Sequence, residues 1–202
     1  MTKGINGNYK RSKHMRNLNK NRRIYKGHSL VQDVGDYTVV DIETTSLDSF
    51  HGEILEISAI KVRNKKEVDN FSELIKTNEE IGYFTTNLTG ITNEMRLKEG
   101  KELEEVLQSF KIFLGNDIIV GHNVNFDINF LYDNMEEHLD TYLSNDYVDT
   151  LRIARKVLPN LRHHKLDDLI TYFHLTQRNE HRALNDCVLT NQVYIKLSEM
   201  MQ

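Results

Sequence analysis

Apolar residues first recur at strand spacing after residue 36. Tyr37–Ile42 is rich in β-branched residues, and Ile54–Val62 and Val68–Ile75 are two further segments of strand length. A polar turn over residues 63–66 separates the second segment from the third. Three strands joined by short connections predict an antiparallel meander.

The apolar spacing becomes helical from residue 102 onwards. Glu102–Leu114 carries a helical stripe that ends at a glycine, and later segments have the same spacing: Asn125–His138, Leu151–Leu158, Lys165–Phe173 and Ala183–Met201. Two short runs with apolar centres, Asp117–Gly121 and Asp146–Asp149, predict further strands. We therefore expect an α/β domain over residues 36–202, with a mixed five-stranded sheet flanked by helices.

The composition is that of a soluble globular protein, because 39% of the 202 residues are hydrophobic and 28% are charged. The single cysteine, Cys187, excludes an internal disulfide scaffold, and we expect a buried small side chain there rather than a reactive thiol. No apolar run approaches the roughly 20 residues that span a bilayer, and residues 1–27 lack the apolar segment of a signal peptide. We expect a cytoplasmic protein with no membrane partner.

The charge of the chain is divided unevenly. Residues 1–27 hold nine of the 26 Lys and Arg residues and no Asp or Glu, so the rest has 17 basic and 30 acidic residues, a net charge of −13. We interpret residues 1–35 as a flexible basic N-terminal arm ahead of an acidic domain, which favours a polyanionic partner for the arm. A solvated terminus without a partner is the alternative, and the many Asn residues argue against a mitochondrial presequence.

Two carboxylates, Asp41 and Glu43, stand at the end of the first predicted strand. Side chains alternate along a strand, so these two point to the same face. Adjacent carboxylates repel each other unless a cation lies between them, and hard oxygen ligands suit Mg²⁺ or Mn²⁺. In this composition an Asp-x-Glu arises about once by chance, so an exposed strand end explains the pair equally well.

A second group of polar residues lies where a predicted buried strand turns into a helix, over Gly121–Asp127. In α/β proteins this edge commonly carries the functional site. Asp127 falls in the first helical turn, where the helix dipole favours an anion. On its own the segment favours a structural interpretation, in which Asn123 or Asn125 caps the helix and Asp127 only satisfies the dipole.

The third group is a His-x-Ala-x-x-Asp pattern formed by His181, Ala183 and Asp186. Such a pattern arises by chance in roughly one chain of this composition in a hundred, so it is far more specific than the other two. A small residue between the two functional groups allows close packing of the helix start against the sheet. The structural alternative makes His181 a helix cap and Asp186 a buried, hydrogen-bonded carboxylate.

Taken in order and spacing, the three segments resemble the exonuclease motifs of the DEDDh family of 3′→5′ exonucleases: Val40–Thr45, His122–Asp127 and His181–Asp186. The family has a ribonuclease-H-like fold and includes the epsilon-type proofreading subunit of bacterial DNA polymerase III. The resemblance runs from about residue 37 to residue 197 and includes Asn87–Thr92, which looks like the family's loop before its first helix, and Val148–Leu151. It departs from the family at Ser46, where Gly is usual, and in residues 78–82, which lack the usual prolines. These departures affect loop geometry and substrate fit more than chemistry.

The resemblance implies hydrolysis of phosphodiester bonds by a two-metal mechanism. Two ions, Mg²⁺ or Mn²⁺, would be held by the four carboxylates of the motifs: Asp41, Glu43, Asp127 and Asp186. His181 would be the general base that takes a proton from the attacking water. The resemblance also implies that four residues contact the substrate: Glu43, Thr44, Thr45 and Asn123. Of these, Glu43 would hold the terminal 3′ hydroxyl.

The expected function is therefore the release of mononucleotides from the 3′ end of single-stranded or frayed DNA, in proofreading or repair. The expected partners are a single-stranded 3′ end and a DNA polymerase subunit. Phe50, Tyr83 and Phe84 are candidates for stacking on bases, although packing in the core is the more common fate of such residues. Two alternatives stay open, an exoribonuclease that trims RNA 3′ ends and an inactive nucleic-acid-binding module of the same fold.

Overall fold

The computed structural model describes residues 23–49, 51–77, 79–176 and 182–201. Within them the chain forms six strands: β1 (Ser29–Leu30), β2 (Tyr37–Thr44), β3 (Ile54–Arg63), β4 (Lys66–Leu74), β5 (Ile119–Gly121) and β6 (Tyr147–Asp149). The strands make one sheet in the order β1-β6-β5-β2-β3-β4. β2, β3 and β4 pair antiparallel, whereas β5 lies parallel to both β2 and β6, and β1 lies parallel to β6. The predicted meander and mixed sheet are confirmed.

Seven helices are present in the same described residues: α1 (Tyr83–Thr89), α2 (Asn93–Glu99), α3 (Leu103–Leu114), α4 (Asn125–Leu139), α5 (Thr150–Val157), α6 (Leu166–Tyr172) and α7 (Ala183–Glu199). None of them is both long enough and apolar enough to cross a bilayer. The five helices expected from the apolar spacing are α3 to α7. The two others were not predicted, because most of their large apolar side chains are exposed and form no inward-facing stripe: Tyr83, Phe84, Leu88 and Leu97.

Apolar side chains cover the sheet on both faces. Val40 and Ile42 join a cluster with residues of α3 and α4, while Tyr37 and Val39 join a second cluster with residues of α5, α6 and α7. Because side chains alternate along β2, its two faces belong to different cores. Burial on both sides explains why the central strands read as nearly continuous apolar runs.

The sheet has six strands rather than the expected five. The additional strand, β1, pairs Ser29 with Tyr147 and Leu30 with Val148 at the edge of the sheet. Two residues carry no alternation that a sequence pattern could reveal. A second difference concerns Asn87–Thr92, which was expected to be a loop. Its first three residues instead form the last turn of α1. The helix is capped by Gly90 in the left-handed conformation (φ 71°).

Residues 23–35, part of the segment predicted to be a flexible arm, contact the domain. Arg23 donates two hydrogen bonds to the carboxylate of Asp133, at 2.8 and 2.6 Å. Lys26 Nζ donates to Asn125 Oδ1 at 2.6 Å and to Asn129 Oδ1 at 2.9 Å. No local pattern could predict these contacts, since their partners are about a hundred positions away. The remaining residues of the predicted arm, 1–22, lie outside the described part of the chain.

Candidate active site

The two carboxylates of the first motif lie at the carboxyl end of β2, as the alternation predicts. Asp41 and Glu43 follow Tyr37 and Val39 on the face that α7 covers. Asp186 lies in the first turn of α7. One ligand oxygen from each of these three acidic residues lies within 4.8 Å of the others. The structure thus brings together two motifs that are well over a hundred residues apart in the chain.

Asp127 reaches the same place from the opposite side of the sheet. It lies in the first turn of α4, is 5% exposed, and its Oδ1 accepts a hydrogen bond from the backbone N–H of Ile42 at 3.1 Å. This bond fixes α4 to the strand that carries the first motif. Together the four carboxylates line a cleft of about 320 Å³: Asp41, Glu43, Asp127 and Asp186.

Burial and mutual repulsion raise the pKa values of the carboxyl groups in this cleft. Burial, followed by the neighbouring carboxylates, raises the pKa of Asp41 well above its ordinary value. The pKa of Glu43 rises to about 8 for the same reasons, although the positive charge of Arg182 acts in the opposite direction. Burial raises the pKa of Asp127 to about 7 against the effect of its backbone hydrogen bonds. Such a cluster holds either protons or cations.

The turn between β5 and α4 is built from two residues with unusual backbone demands. A Cβ at Gly121 would overlap the side chain of Val124, so only glycine fits this close approach. Asn123 adopts the left-handed conformation (φ 59°), which asparagine tolerates better than most residues. The expected capping of α4 by Asn123 or Asn125 is wrong, because the N-cap is Val124 and it makes no side-chain cap hydrogen bond.

Asp149 is a residue of this site to which the sequence assigned no role. Its Oδ1 accepts hydrogen bonds from the backbone N–H of Asn123 at 2.9 Å and from that of Leu151 at 3.0 Å. It therefore caps α5 and also holds the left-handed turn that precedes Asp127. An Asp before a helical pattern is a recognisable N-cap signal, but its second contact depends on the pairing of β5 with β6.

Glu56 is a second residue that the sequence did not single out. It is 0% exposed, lies opposite Glu43 in the pairing of β2 with β3, and accepts two hydrogen bonds from Arg182, at 3.1 and 2.8 Å. Ser72 Oγ donates a third bond to it at 3.0 Å. Arg182 is the N-cap residue of α7 and directly follows His181, which itself lies outside the described residues. This ion pair therefore anchors the start of the helix that carries Asp186.

The family model for exonucleases, RNase_T, matches residues 38–194. The chain belongs to this exonuclease family. Its members are the 3′→5′ exonucleases to which the three sequence motifs pointed, and they hydrolyse phosphodiester bonds with the help of a divalent metal. The matched range includes all four clustered carboxylates and excludes the basic segment at the N-terminus.

Sequence relatives of the exonuclease domain are much longer proteins. DNA polymerase III PolC-type from Caldanaerobacter subterraneus subsp. tengcongensis is 37% identical over 179 residues, which cover 89% of this chain and 13% of that protein. The protein of the same name from Thermotoga petrophila is 40% identical over 166 residues, covering 82% of this chain and 12% of that protein. The chain thus spans about an eighth of the length of these curated relatives.

Solved structures share the fold of this exonuclease. Exonuclease X in complex with 5′ overhanging duplex DNA superposes with a TM-score of 0.66 at 24% identity, over 81% of this chain and 91% of that chain. The zinc-bound form of the E. coli ExoI–ssDNA complex gives a TM-score of 0.71 at 18% identity, over 84% and 41%. The expected ribonuclease-H-like fold is confirmed.

The residues that line the exonuclease cleft fit a hard divalent cation. Four carboxylates supply oxygen ligands, and among the described residues that line the cleft there is no Lys or Arg to neutralise them. His122 and Asn123 complete the polar wall, whereas Leu88 and Phe126 supply apolar surface. Divalent cations bound by the carboxylates would favour their ionised forms against the burial and the mutual repulsion that raise the pKa values of Asp41 and Glu43.

Thr44 and Thr45, expected to contact substrate, are not among the described residues that line the cleft. Thr44 Oγ1 donates to the carbonyl of Ser46 at 2.8 Å, and Thr45 Oγ1 accepts from the backbone N–H of Glu53 at 2.9 Å. Both hydroxyls therefore close the loop after β2. Ser46 is outside the left-handed region, so a side chain is tolerated where the family usually has Gly.

The aromatic residues of α1 are exposed. Tyr83 is 83% exposed and Phe84 is 80% exposed, so packing in the core is wrong for both, whereas Phe50 lies outside the described residues. Leu88 of the same helix lines the cleft, which places α1 beside the exonuclease site. Cys187 is buried as expected, and burial raises the pKa of its thiol well above the ordinary value.

Proposed function

We propose that this exonuclease releases mononucleotides from the 3′ end of single-stranded or frayed DNA. The observation that carries the proposal is the meeting of four carboxylates in one cleft, at the positions that the family motifs assign to metal ligands. DNA is favoured as the substrate because the sequence relatives are named as DNA polymerases and two neighbouring folds were solved with DNA.

Each carboxylate of the cleft has a stated role in this proposal. Asp41, Glu43, Asp127 and Asp186 would bind two ions, Mg²⁺ or Mn²⁺. When bound, these ions would supply activation of the attacking water and stabilisation of the leaving 3′ oxygen. Glu43 also holds the terminal 3′ hydroxyl, and His181 takes the proton from the attacking water.

Substrate contacts beyond the carboxylates come from the rim of the cleft. Asn123 is exposed on its left-handed turn and lines the cleft, so its amide is available to the terminal nucleotide. Thr44 and Thr45 shape the loop behind Glu43 and keep a supporting role in substrate fit. Exposed Tyr83 and Phe84 would stack on bases without reading sequence, which suits a trimming enzyme.

The setting of the activity is proposed from the relatives. Proofreading beside a DNA polymerase subunit, in the cytoplasm, fits the similarity to PolC-type polymerases. The basic residues 1–22 would add an electrostatic contact with nucleic acid.

The test is an end-labelled degradation assay. A single-stranded DNA of about 12 nucleotides and the RNA of the same sequence are incubated with and without Mg²⁺ or Mn²⁺. We expect metal-dependent release of mononucleotides from the 3′ end of DNA, complete loss in Asp41→Asn, and wild-type activity in Glu67→Gln, which changes an exposed carboxylate on β4.

Two outcomes of this assay would contradict the proposal. Faster trimming of RNA than of DNA would assign the chain to the exoribonucleases. Binding of the oligonucleotide without any hydrolysis, under every metal condition, would assign it to the inactive nucleic-acid-binding modules of the same fold.

A further inference from the structure

A second cleft adjoins the carboxylate cleft and has the opposite charge. Its volume is about 600 Å³, and its walls come from α5, from the segment after α5 and from the start of α6. Three residues with permanent positive charge line it, Arg155, Arg162 and Lys165, and none of the described residues in its lining is acidic. We refer to this feature as the basic groove.

The cations of the basic groove have no carboxylate partner among the described residues. Arg155, Arg162 and Lys165 are exposed, and no ion pair is described for their side chains. Elsewhere Arg63 pairs with Asp117 at 2.8 Å, and Arg182 pairs with Glu56 at 2.8 Å. Because the region after residue 27 has a net charge of −13, a patch of unneutralised cations stands out against the rest of the surface.

The segment that carries two of these cations, Arg162 and Lys165, is held in a defined shape, and Arg155 lies on α5 just before it. It begins after Leu158, whose carbonyl accepts a bond from the backbone N–H of Leu161 at 3.0 Å and lies 3.0 Å from Nε2 of His164. The backbone N–H of Lys165 donates to Asp168 Oδ2 at 2.9 Å, which fixes the entry into α6. A loop fixed at both ends presents its charges at less entropic cost than a free tail.

The basic groove and the carboxylate cleft share two wall residues, His122 and Asn123. Nδ1 of His122 lies 2.9 Å from Thr150 Oγ1, and the ring also bonds to the backbone of His164, so the shared wall is tied to the segment after α5. A strand that leaves the carboxylate cleft across Asn123 therefore enters the groove directly.

We propose that the basic groove binds the sugar–phosphate backbone of the nucleotides on the 5′ side of the scissile bond. The proposal rests on the 3′→5′ exonuclease function proposed above and assigns the upstream part of the substrate to Arg155, Arg162 and Lys165. Guanidinium and ammonium groups bind phosphate oxygens without reading the base. The groove thus supplies the attraction for a polyanion that the acidic domain otherwise lacks.

The test compares the double variant Arg155→Ala/Arg162→Ala with the wild type on two substrates. An oligothymidylate of about 12 nucleotides has upstream phosphates, whereas the p-nitrophenyl ester of thymidine 5′-monophosphate has none. We expect a roughly 3–10-fold higher KM for the oligonucleotide with an unchanged kcat, and unchanged constants for the ester. The dependence of log KM on log salt should weaken by about 0.7 for each phosphate that the variant no longer binds.

Lys66→Ala is the matched control, because Lys66 is an exposed cation on β4 at the opposite edge of the sheet, and it should leave all these constants unchanged. Equal losses on the oligonucleotide and on the ester, or an unchanged salt dependence, would overturn the proposal. The proposal would also be overturned if the double variant differed from the wild type only in its inhibition by free thymidine 5′-monophosphate, since the groove would then bind the product.

Failure of the proposed function would be visible separately. If the wild type hydrolyses neither substrate, the exonuclease assignment of this chain fails, and the groove is judged by fluorescence anisotropy with a labelled oligothymidylate in the absence of divalent metal. There the double variant should bind several-fold more weakly than the wild type and than Lys66→Ala. Equal binding by all three proteins would overturn the groove as a nucleic-acid site.

Discussion

Replacing Arg182 by methionine should destabilise the fold more than the loss of any surface ion pair. With Arg182 present the carboxylate of Glu56 is 0% exposed, and the change leaves the hydroxyl of Ser72 as its remaining described donor. Breaking a buried ion pair by removing one partner costs about 3–5 kcal/mol. About a third of the Arg182 side chain is exposed, which lowers the expected loss to roughly 2–4 kcal/mol.

Thermal unfolding followed by circular dichroism, in EDTA, measures this loss. For a chain of this size each kcal/mol shifts Tm by about 2–4 °C, so Arg182→Met should melt about 4–16 °C below the wild type. Arg182→Lys should fall between the two, because an ammonium keeps the charge and loses the bidentate geometry. Lys196→Met is the control, since it breaks an exposed pair with Glu199 and should shift Tm by no more than a few degrees.

A double-mutant cycle with Glu56→Gln decides whether the pair itself carries the effect. If it does, the double variant Glu56→Gln/Arg182→Met loses clearly less stability than the sum of the two single changes, by about 1–3 kcal/mol. Additive losses, or an Arg182→Met protein that melts within about 2 °C of the wild type, would refute the reasoning. The contact between β3 and the start of α7 would then contribute no more than a surface pair.

Further predictions concern the carboxylates, His181 and the N-terminus. Asp186→Asn should abolish hydrolysis and raise the Tm of the metal-free protein at about pH 8, because it removes one of the repelling charges. The pKa values of Glu43 and Asp127 are raised to about 8 and about 7, so the folded state keeps protons that the unfolded chain has lost. The stability of the metal-free protein should therefore fall as the pH rises from about 4 to about 8. A series of melting curves should show this fall, and Mn²⁺ should reverse it. His181→Ala should lower kcat roughly 10²–10⁴-fold near neutral pH with partial recovery as pH rises, and a wild-type rate at every pH would make His181 a structural residue. Deleting residues 1–22 should raise KM at low salt and leave kcat on a short oligonucleotide unchanged, whereas identical salt slopes with and without them would deny this segment a role in substrate binding.

The carboxylate positions could be predicted because each depends on local geometry. Alternation along β2 places Asp41 and Glu43 on one face, and the strand-to-helix turn places Asp127 in the first turn of α4. The order of the three motifs then identified the family. The prediction that these carboxylates form one site came from the resemblance to the family, because no single motif indicated it.

The residues that support these carboxylates could not be predicted, because their partners are set by strand pairing. Glu56 stands in an apolar run and looks like an isolated polar residue until β2 and β3 pair and Arg182 arrives from α7. The second contact of Asp149 likewise exists only because β6 lies beside β5. The exposure of Tyr83 and Phe84 also depends on the tertiary structure and could not be predicted, since aromatic side chains are more often buried.

The proposed substrate path crosses two adjoining clefts of opposite charge. The mutual repulsion of the four carboxylates in the cleft destabilises the metal-free fold. Cations bound among them would make the local electrostatic potential much less negative. Glu56 adds to that repulsion from behind the cleft, and the positive charge of its partner Arg182 offsets part of the rise in the pKa of Glu43. The cations of the basic groove have no such carboxylate among the described residues that line it, and they remain available to phosphates. In the proposed mode of binding, three cations beside the carboxylate cleft give an otherwise acidic domain a local attraction for a polyanion.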